Sequence, residues 1–579
     1  MRRARTFFAL ITTAAMFTGL LGVRVAPAAT AGCDDTHLGN HSATATGVTD
    51  ATPNAVRVFA IQYRVDLSYV KTYETFRHKM ECLILDYVEP NRSTTAPNVV
   101  VLNEDIGLAT LGIGTRGAGA RAIAALPVKD PANLTGAIAA FAAVGASYAP
   151  QIAYYAAREP DTSAMRLILA AATDTFVRAF MQTFSDLARR YKIYIVAANN
   201  QAEFREVAVA KHPAAAVLID PDLAGRYATG ALKTVYQAVD FAGPGLGNDD
   251  AGSSAGGINV YNKAFMWSPD PGVEPYAKTR FERFALDGSM TAADPRTNVI
   301  AVVKKTPITS IERSLLDLTD DGDMTAENTG PFPLPGTASN ENPAPLPPLA
   351  TFGFGISLPA FEWGTDFGQP FAGDPCAHST TWMRCLDARH TNIFLQPEAN
   401  PGCCWADYID GGWSPPAWQS LSWMDSAWRA VADPTSHIRY SVTPHMVGNL
   451  LDLAFDGQSA IFERCSINQN DTCAGNTPSS FVGAKDFIGC PAAMNRCDDP
   501  RLAAYAGPRR ETLVMAPWVI GDDLLLGAAA NRDRLAARAH AMLAGSGSPF
   551  ENGYLETAIW ADLNLGIPAP PLPVTGAGG

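Results

Sequence analysis

Between Ala55 and Leu102 the apolar residues change period twice, and this most narrows the fold. Residues 55–62 (AVRVFAIQ) read as a strand. Residues 65–88 carry Val65, Leu67, Val70, Tyr73, Phe76, Met80, Leu83, Ile84 and Tyr87 near helical spacing, an amphipathic helix that Pro90 ends. Residues 98–102 (NVVVL) form a buried strand running into Asn103-Glu104-Asp105. Strand, helix, strand is the opening of an α/β fold. Further strands are predicted at 193–198, 258–267, 299–303, 351–357, 392–396 and 512–515, with a helix over 175–191. Residues 331–349 are rich in Pro and predict an irregular connection. Residues 106–190 are Ala-rich, and 131–157 carry no charge. Ala, Ser and Gly dominate that stretch and Pro150 breaks it, so two packed helices are expected there and no membrane span.

Composition bounds the rest. Charged residues make up 17% and hydrophobic ones 47% of 579, a globular balance that excludes a disordered or fibrous chain. A net charge of −13 argues against non-specific nucleic-acid binding. Arg2, Arg3 and Arg5 precede the apolar run Phe7 to Val23, and Ala29-Thr30-Ala31 precedes Gly32. Residues 1–31 therefore read as a secretory signal peptide, and the protein as secreted, extracellular or attached to a cell wall. Ten cysteines, an even count, suit disulfides in an exported chain. Cys376/Cys385, Cys465/Cys473 and Cys490/Cys497 are candidate pairs, and Cys33 is weighed as a lipidated cysteine after a poor lipobox. The tail 567–579 is expected to be disordered. Within it, Leu572 to Gly576 (LPVTG) matches a surface-sorting signal but lacks the apolar segment and basic tail that should follow.

Glu104, Lys305 and Ser357 stand at or just beyond the ends of apolar strands, where α/β folds place reactive groups. A carboxylate, an ammonium and a hydroxyl together can supply a base, an oxyanion stabiliser and a nucleophile. The segments around them, in order, resemble the nitrilase or carbon–nitrogen hydrolase superfamily. VVLNEDIGL resembles its glutamate strand, VYNKAFMWSPDPG its core hairpin, and KKTPITSIER its lysine segment. TFGFGISLPAF resembles the nucleophile elbow, NIFLQPEANPG the strand after it, and FDGQSAIF a later core strand.

The resemblance implies a four-layer α-β-β-α sandwich over residues 32–566. Large insertions are expected at about 106–190, 366–430 and 465–500. It also implies amidase-type hydrolysis of a non-peptide C–N bond through an acyl-enzyme. Glu104 is then the base, Lys305 the oxyanion stabiliser, Glu312 a support for the base and Ser357 the attacking residue. Lys278 and Lys304 remain alternatives to Lys305. The implied substrate is a small amide or nitrile, with no cofactor and no metal, and a homodimer is expected through a helical face.

The family nucleophile is Cys. A serine hydroxyl is far harder to deprotonate than a thiol of pKa about 8.5. Ser357 and Pro359 therefore also support a second reading, a catalytically inactive binding or scaffold protein at the cell surface. Residues 317–328 (DLTDDGDMTAEN) lack the chelating Glu of a calcium loop and read as a solvated acidic loop. His37 and His41 are weighed and set aside as a metal pair. Trp405, Trp413, Trp418, Trp423 and Trp428 are expected to serve packing.

Overall fold

The computed structural model describes residues 33, 55–126, 134–224, 234–239, 257–270, 294–334, 349–363, 371–399, 426, 428–433, 435–451, 453–456, 459–464, 512–516 and 556–565. Outside them lie the leader 1–31, His37, His41, Lys278, the first four of the five tryptophans, six cysteines and the tail 567–579.

Two mixed sheets carry the fold. In chain order the strands are β1 Ala55–Gln62, β2 Asn98–Val101, β3 Tyr194–Ala208, β4 Thr234–Val239, β5 Val260–Trp267 and β6 Val299–Lys304. There follow β7 Phe332–Leu334, β8 Ala350–Phe354, β9 Ile393–Leu395, β10 Tyr440–Thr443, β11 Val447–Leu450 and β12 Leu453–Asp456. The last three are β13 Ala460–Glu463, β14 Thr512–Met515 and β15 Thr557–Asn564. The first sheet runs β15-β1-β2-β3-β5-β6, with β4 beside β3. The second runs β14-β13-β10-β9-β8-β7, and β11 and β12 form a separate hairpin. Each sheet has a parallel centre, β1-β2-β3 in one and β8-β9-β10 in the other.

Strand alternation explains the layering. Val56, Val58 and Ala60 of β1 share a core with Phe352 and Phe354 of β8, Ile393 and Leu395 of β9, and Tyr440 and Val442 of β10. Phe59 and Ile61, on the opposite face of β1, pack with Phe76, Met80 and Leu83 of the helix Tyr73–Leu83 and with Phe180 and Phe184. The sheets thus meet face to face, with helices covering the far side of the first. Against β8 lies the helix Trp382–Ala388, whose Trp382 indole N–H donates to the Phe354 carbonyl at 2.8 Å. Trp428 is fully buried in the shared core, which is the packing role expected of it.

Several expected elements change shape. The helix expected over 65–88 divides into a 3₁₀ turn Leu67–Val70, an α-helix Tyr73–Leu83, a π turn Ile84–Val88 and a 3₁₀ turn Glu89–Asn91. The break has a local cause. Asp66 caps the first turn through Ser68 N–H, and Thr72 caps the α-helix afresh in a reciprocal pair with Thr75. Strand β3 runs to Ala208 rather than stopping near 198, because Asn199, Asn200 and Gln201 continue it while remaining buried. The Pro-rich connection begins with a strand, β7, on the edge of its sheet, where Pro is tolerated. Strands β4, β10, β11 and β15 are also additions to the expected set, and the segment FDGQSAIF divides between β12 and β13.

The stretch 131–157 does hold two helices, Thr135–Ser147 and Ala149–Ala156, bent by 77°. Among the described residues no single helix is long and apolar enough to cross a membrane; only this bent pair passes by length and composition. Cys376 is bonded to Cys385 as expected. Cys33 is bonded to Cys82 of the helix Tyr73–Leu83, so its sulfur is not available to a lipid.

Candidate active site

The parallel centres of both sheets end on one seam, and the loops leaving those ends carry the polar residues. Glu104 follows β2 by three residues. The turn there is tight: Asp105 takes a positive φ of 60°, and a Cβ on Gly107 would lie 2.5 Å from Asn199 Cβ. Lys305 follows β6 directly. Its N–H donates to the Asn262 carbonyl of β5 at 2.8 Å, while Lys304 stands opposite Lys263.

That register decides which lysine faces the seam. Lys305 Nζ contacts Glu104 Oε1 at 2.6 Å and Glu312 Oε2 at 2.9 Å. Lys304 points the other way, to Asp321 Oδ2 at 2.9 Å and over the Tyr261 ring. The acidic loop spends its oxygens on such neighbours: Asp320 accepts from the Thr306 hydroxyl at 2.6 Å and from the Ile308 N–H at 3.2 Å.

Asn262 closes the charged group. Its Nδ2 donates to Glu104 Oε1 at 2.6 Å and to Glu312 Oε1 at 2.7 Å. Glu312 also accepts from the Thr309 N–H and hydroxyl, each at 2.8 Å. The second oxygen of Glu104 accepts the Ala399 N–H at 3.2 Å, which ties the first sheet to the loop after β9. Glu104, Lys305, Glu312 and Asn262 are all buried.

Two carboxylates share one ammonium here, and they are affected unequally. Burial pushes Glu104 up, and Glu312's charge adds to this against the pull of Lys305. Burial also works against ionised Glu312, but Lys305 and the donors Asn262 and Thr309 overcome it and hold Glu312 below the usual range. Lys305 loses hydration yet is held above the usual lysine range by Glu104 and Glu312. It is therefore a fixed cation in a water-poor site.

Ser357 lies on the turn after β8. Its backbone sits at φ 59° and ψ −112°, a region costly for a residue with a Cβ. This is the geometry of an elbow that projects a side chain out of the strand line. Gly355 makes the turn possible, since a Cβ there would lie 2.3 Å from Phe394 Cζ. The Ala360 N–H closes the turn on the Ser357 carbonyl at 2.9 Å.

The side chain joined to Ser357 by chemistry is Glu398, three residues beyond β9. Glu398 is completely buried, and Gln396 Nε2 donates to its Oε1 at 2.5 Å. Burial first, and the charge of Glu104 second, push it well above the usual carboxylate range; Gln396, Lys305 and the Ser357 hydroxyl oppose them. His445 pairs with Glu398 across a parallel bridge, and burial lowers its pKa to about 3, so it is neutral.

Lys305 thus contacts both Glu104 and Glu312, and Ser357 bears on Glu398, which feels the charges of Glu104 and Lys305. Asn262 and Glu398 were not anticipated as site residues. Glu398 had a readable signal: it follows an apolar strand, as Glu104 and Ser357 do. Asn262 lies inside a strand, and only the β5–β6 register reveals its role.

No family model and no curated protein matches the chain. Among solved structures, the chain is similar to nitrilase-superfamily amidases and a carbon–nitrogen hydrolase. One is the amidase from Nesterenkonia sp. AN1, in a mutant showing Michael addition of acrylamide at its active-site cysteine. It is 11% identical, covers 71% of this chain and 85% of that one, and has a TM-score of 0.28. A cysteine-to-serine mutant of that amidase is 12% identical, covers 72% and 85%, and has a TM-score of 0.29. A carbon–nitrogen hydrolase from Helicobacter pylori G27 is 12% identical, covers 71% and 81%, and has a TM-score of 0.31.

Proposed function

We propose that this chain is an exported amidase-type hydrolase of non-peptide C–N bonds, built on a four-layer α-β-β-α sandwich and working through an acyl-enzyme on Ser357. One observation carries the reading: Lys305 is buried between Glu104 and Glu312 beyond the ends of β2 and β6, and Ser357 takes a strained elbow beyond the end of β8. Burying three charges is expensive, and chains keep such groups mostly where chemistry uses them. In this mechanism Ser357 Oγ attacks the amide carbon and Lys305 stabilises the oxyanion. Glu312 with Asn262 fixes the ammonium, and the resemblance gives Glu104 the serine proton. The amine departs, and water then hydrolyses the ester. The disulfides Cys33–Cys82 and Cys376–Cys385 support export.

The inactive scaffold is the second reading, favoured by serine in place of cysteine. Incubation with a panel of small amides, followed by turnover assay and intact-mass measurement, separates the two. The hydrolase reading expects turnover, and an acyl adduct, that Ser357→Ala abolishes. Turnover unchanged in Ser357→Ala defeats the serine mechanism. Turnover gained only in Ser357→Cys shows a disarmed site and favours the scaffold.

A further inference from the structure

A serine nucleophile in place of a thiol needs a stronger base, and the seam holds a further carboxylate, Glu398, outside the charged group. Glu104 is committed: Lys305 and Asn262 hold Oε1, and the Ala399 N–H holds Oε2. Glu398 differs. Its Oε1 takes the Gln396 amide, while its Oε2 is buried with no hydrogen-bond partner among the described residues. Ser357 and Glu398 each lie three residues beyond Phe354 and Leu395, which are paired in parallel register, so they leave adjacent strand ends, and the Ser357 hydroxyl favours the ionised form of Glu398.

We infer that Glu398 is a catalytic residue, the general base that receives the Ser357 proton. The inference rests on Ser357 being the nucleophile, and it transfers the proton-accepting role from Glu104 to Glu398. As Oγ bonds to the amide carbon, the O–H bond breaks and its proton moves to Glu398 Oε2. The carbonyl π pair moves to oxygen, beside Lys305. When the intermediate collapses, the C–N bond breaks and Glu398 returns the proton to the departing amine. Water then attacks the ester and gives Glu398 a proton, which Ser357 recovers as it leaves. Nothing is oxidised or reduced.

The surroundings fit this division of labour. Groups facing Glu398 come from every strand end around it: Glu104 after β2, Lys305 after β6, Ser357 after β8 and His445 after β10. Neutral His445 adds no charge, and among the described residues both its ring nitrogens lack partners. Glu104 repels a second negative charge, so an ionised Glu398 is a stronger base than an ordinary carboxylate. Glu104 and Glu312 then fix Lys305 and set the field.

Acylation by 4-nitrophenyl acetate, followed by the nitrophenolate burst and intact mass, tests this on the full chain. A wild-type adduct absent from Ser357→Ala establishes the nucleophile. If no such adduct forms, the functional reading fails and the inference with it. Given the adduct, Glu398→Gln should slow acylation about 100- to 1,000-fold, the usual worth of a general base. In a Ser357→Cys background the same change should cost less than about 5-fold, because a thiol needs far less help to ionise. Equal losses in both backgrounds indicate a merely structural role and overturn the inference. So does a Glu398→Gln enzyme within about 3-fold of wild type. Should Glu398→Gln not fold, Glu398→Asp serves in both backgrounds with the same two criteria.

Discussion

Lys305 and Lys304 are adjacent, yet substitution should separate them sharply. Lys305→Met leaves Glu104 and Glu312 buried without their cation, a loss of about 3–5 kcal/mol. Lys304→Met removes a partly exposed pair with Asp321 and should cost about 1 kcal/mol or less. Urea unfolding of both variants checks this, and equal losses contradict the register. His445 gives a pH dependence. Its folded pKa of about 3 lies below the ordinary value of about 6.5, so between them the unfolded chain binds more protons. Stability should be intact above about pH 6.5 and lost as pH falls, by up to about 4 kcal/mol near pH 3. Melting curves from pH 7 to about pH 4 should therefore be flatter in His445→Gln than in wild type.

The element that most repays attention is β15. It pairs with the whole of β1, from Ala55 opposite Asn564 to Gln62 opposite Thr557. Side chains lock the pairing at both ends. Arg57 grips Asp562 with two bonds of 2.7 Å. Lys79, from the helix Tyr73–Leu83, reaches Glu556 at 2.6 Å in full burial. Lys79→Met should cost about 3–5 kcal/mol by stranding Glu556, and adding Glu556→Leu should recover much of that loss. Thermal melts of the single and double variants decide it.

Elements differed in how far the sequence disclosed them. β2 reads directly from its valines, and β1 reads as a strand despite Arg57. In TAIWADLN, Asp562 interrupts the run, and only the partner Arg57 explains an acid there. Site residues divide in the same way. Glu104, Ser357 and Glu398 end apolar runs, which is a local signal. Asn262 and the choice of Lys305 over Lys304 depend on how β5 pairs with β6, a fact about two strands that no single segment contains.

At the scale of the molecule, the site exists only where the sheets meet. One sheet supplies Glu104, Asn262 and Lys305, and the other supplies Ser357 and Glu398. The Ala399 N–H on Glu104 ties the two groups together directly. The core between the sheets, with Phe352, Phe354, Val58 and Val99 fully buried, therefore holds the catalytic geometry. A chain ending at residue 550 should lose that geometry although it retains every site residue. It should show weakened near-UV circular dichroism and no Ser357 acylation, and native behaviour of that truncation would contradict the role given to β15.

The pairing of β1 with β15 also orders events in time. Arg57 and Asp562 are 505 positions apart, so a growing chain makes its first strand long before that strand's outer neighbour exists. Every other described element can be synthesised, and much of it packed, while one edge of β1 is still open. Assembly of the first sheet thus waits on a segment 505 positions further along the chain. Until then an apolar strand edge is exposed to whatever guides the nascent chain.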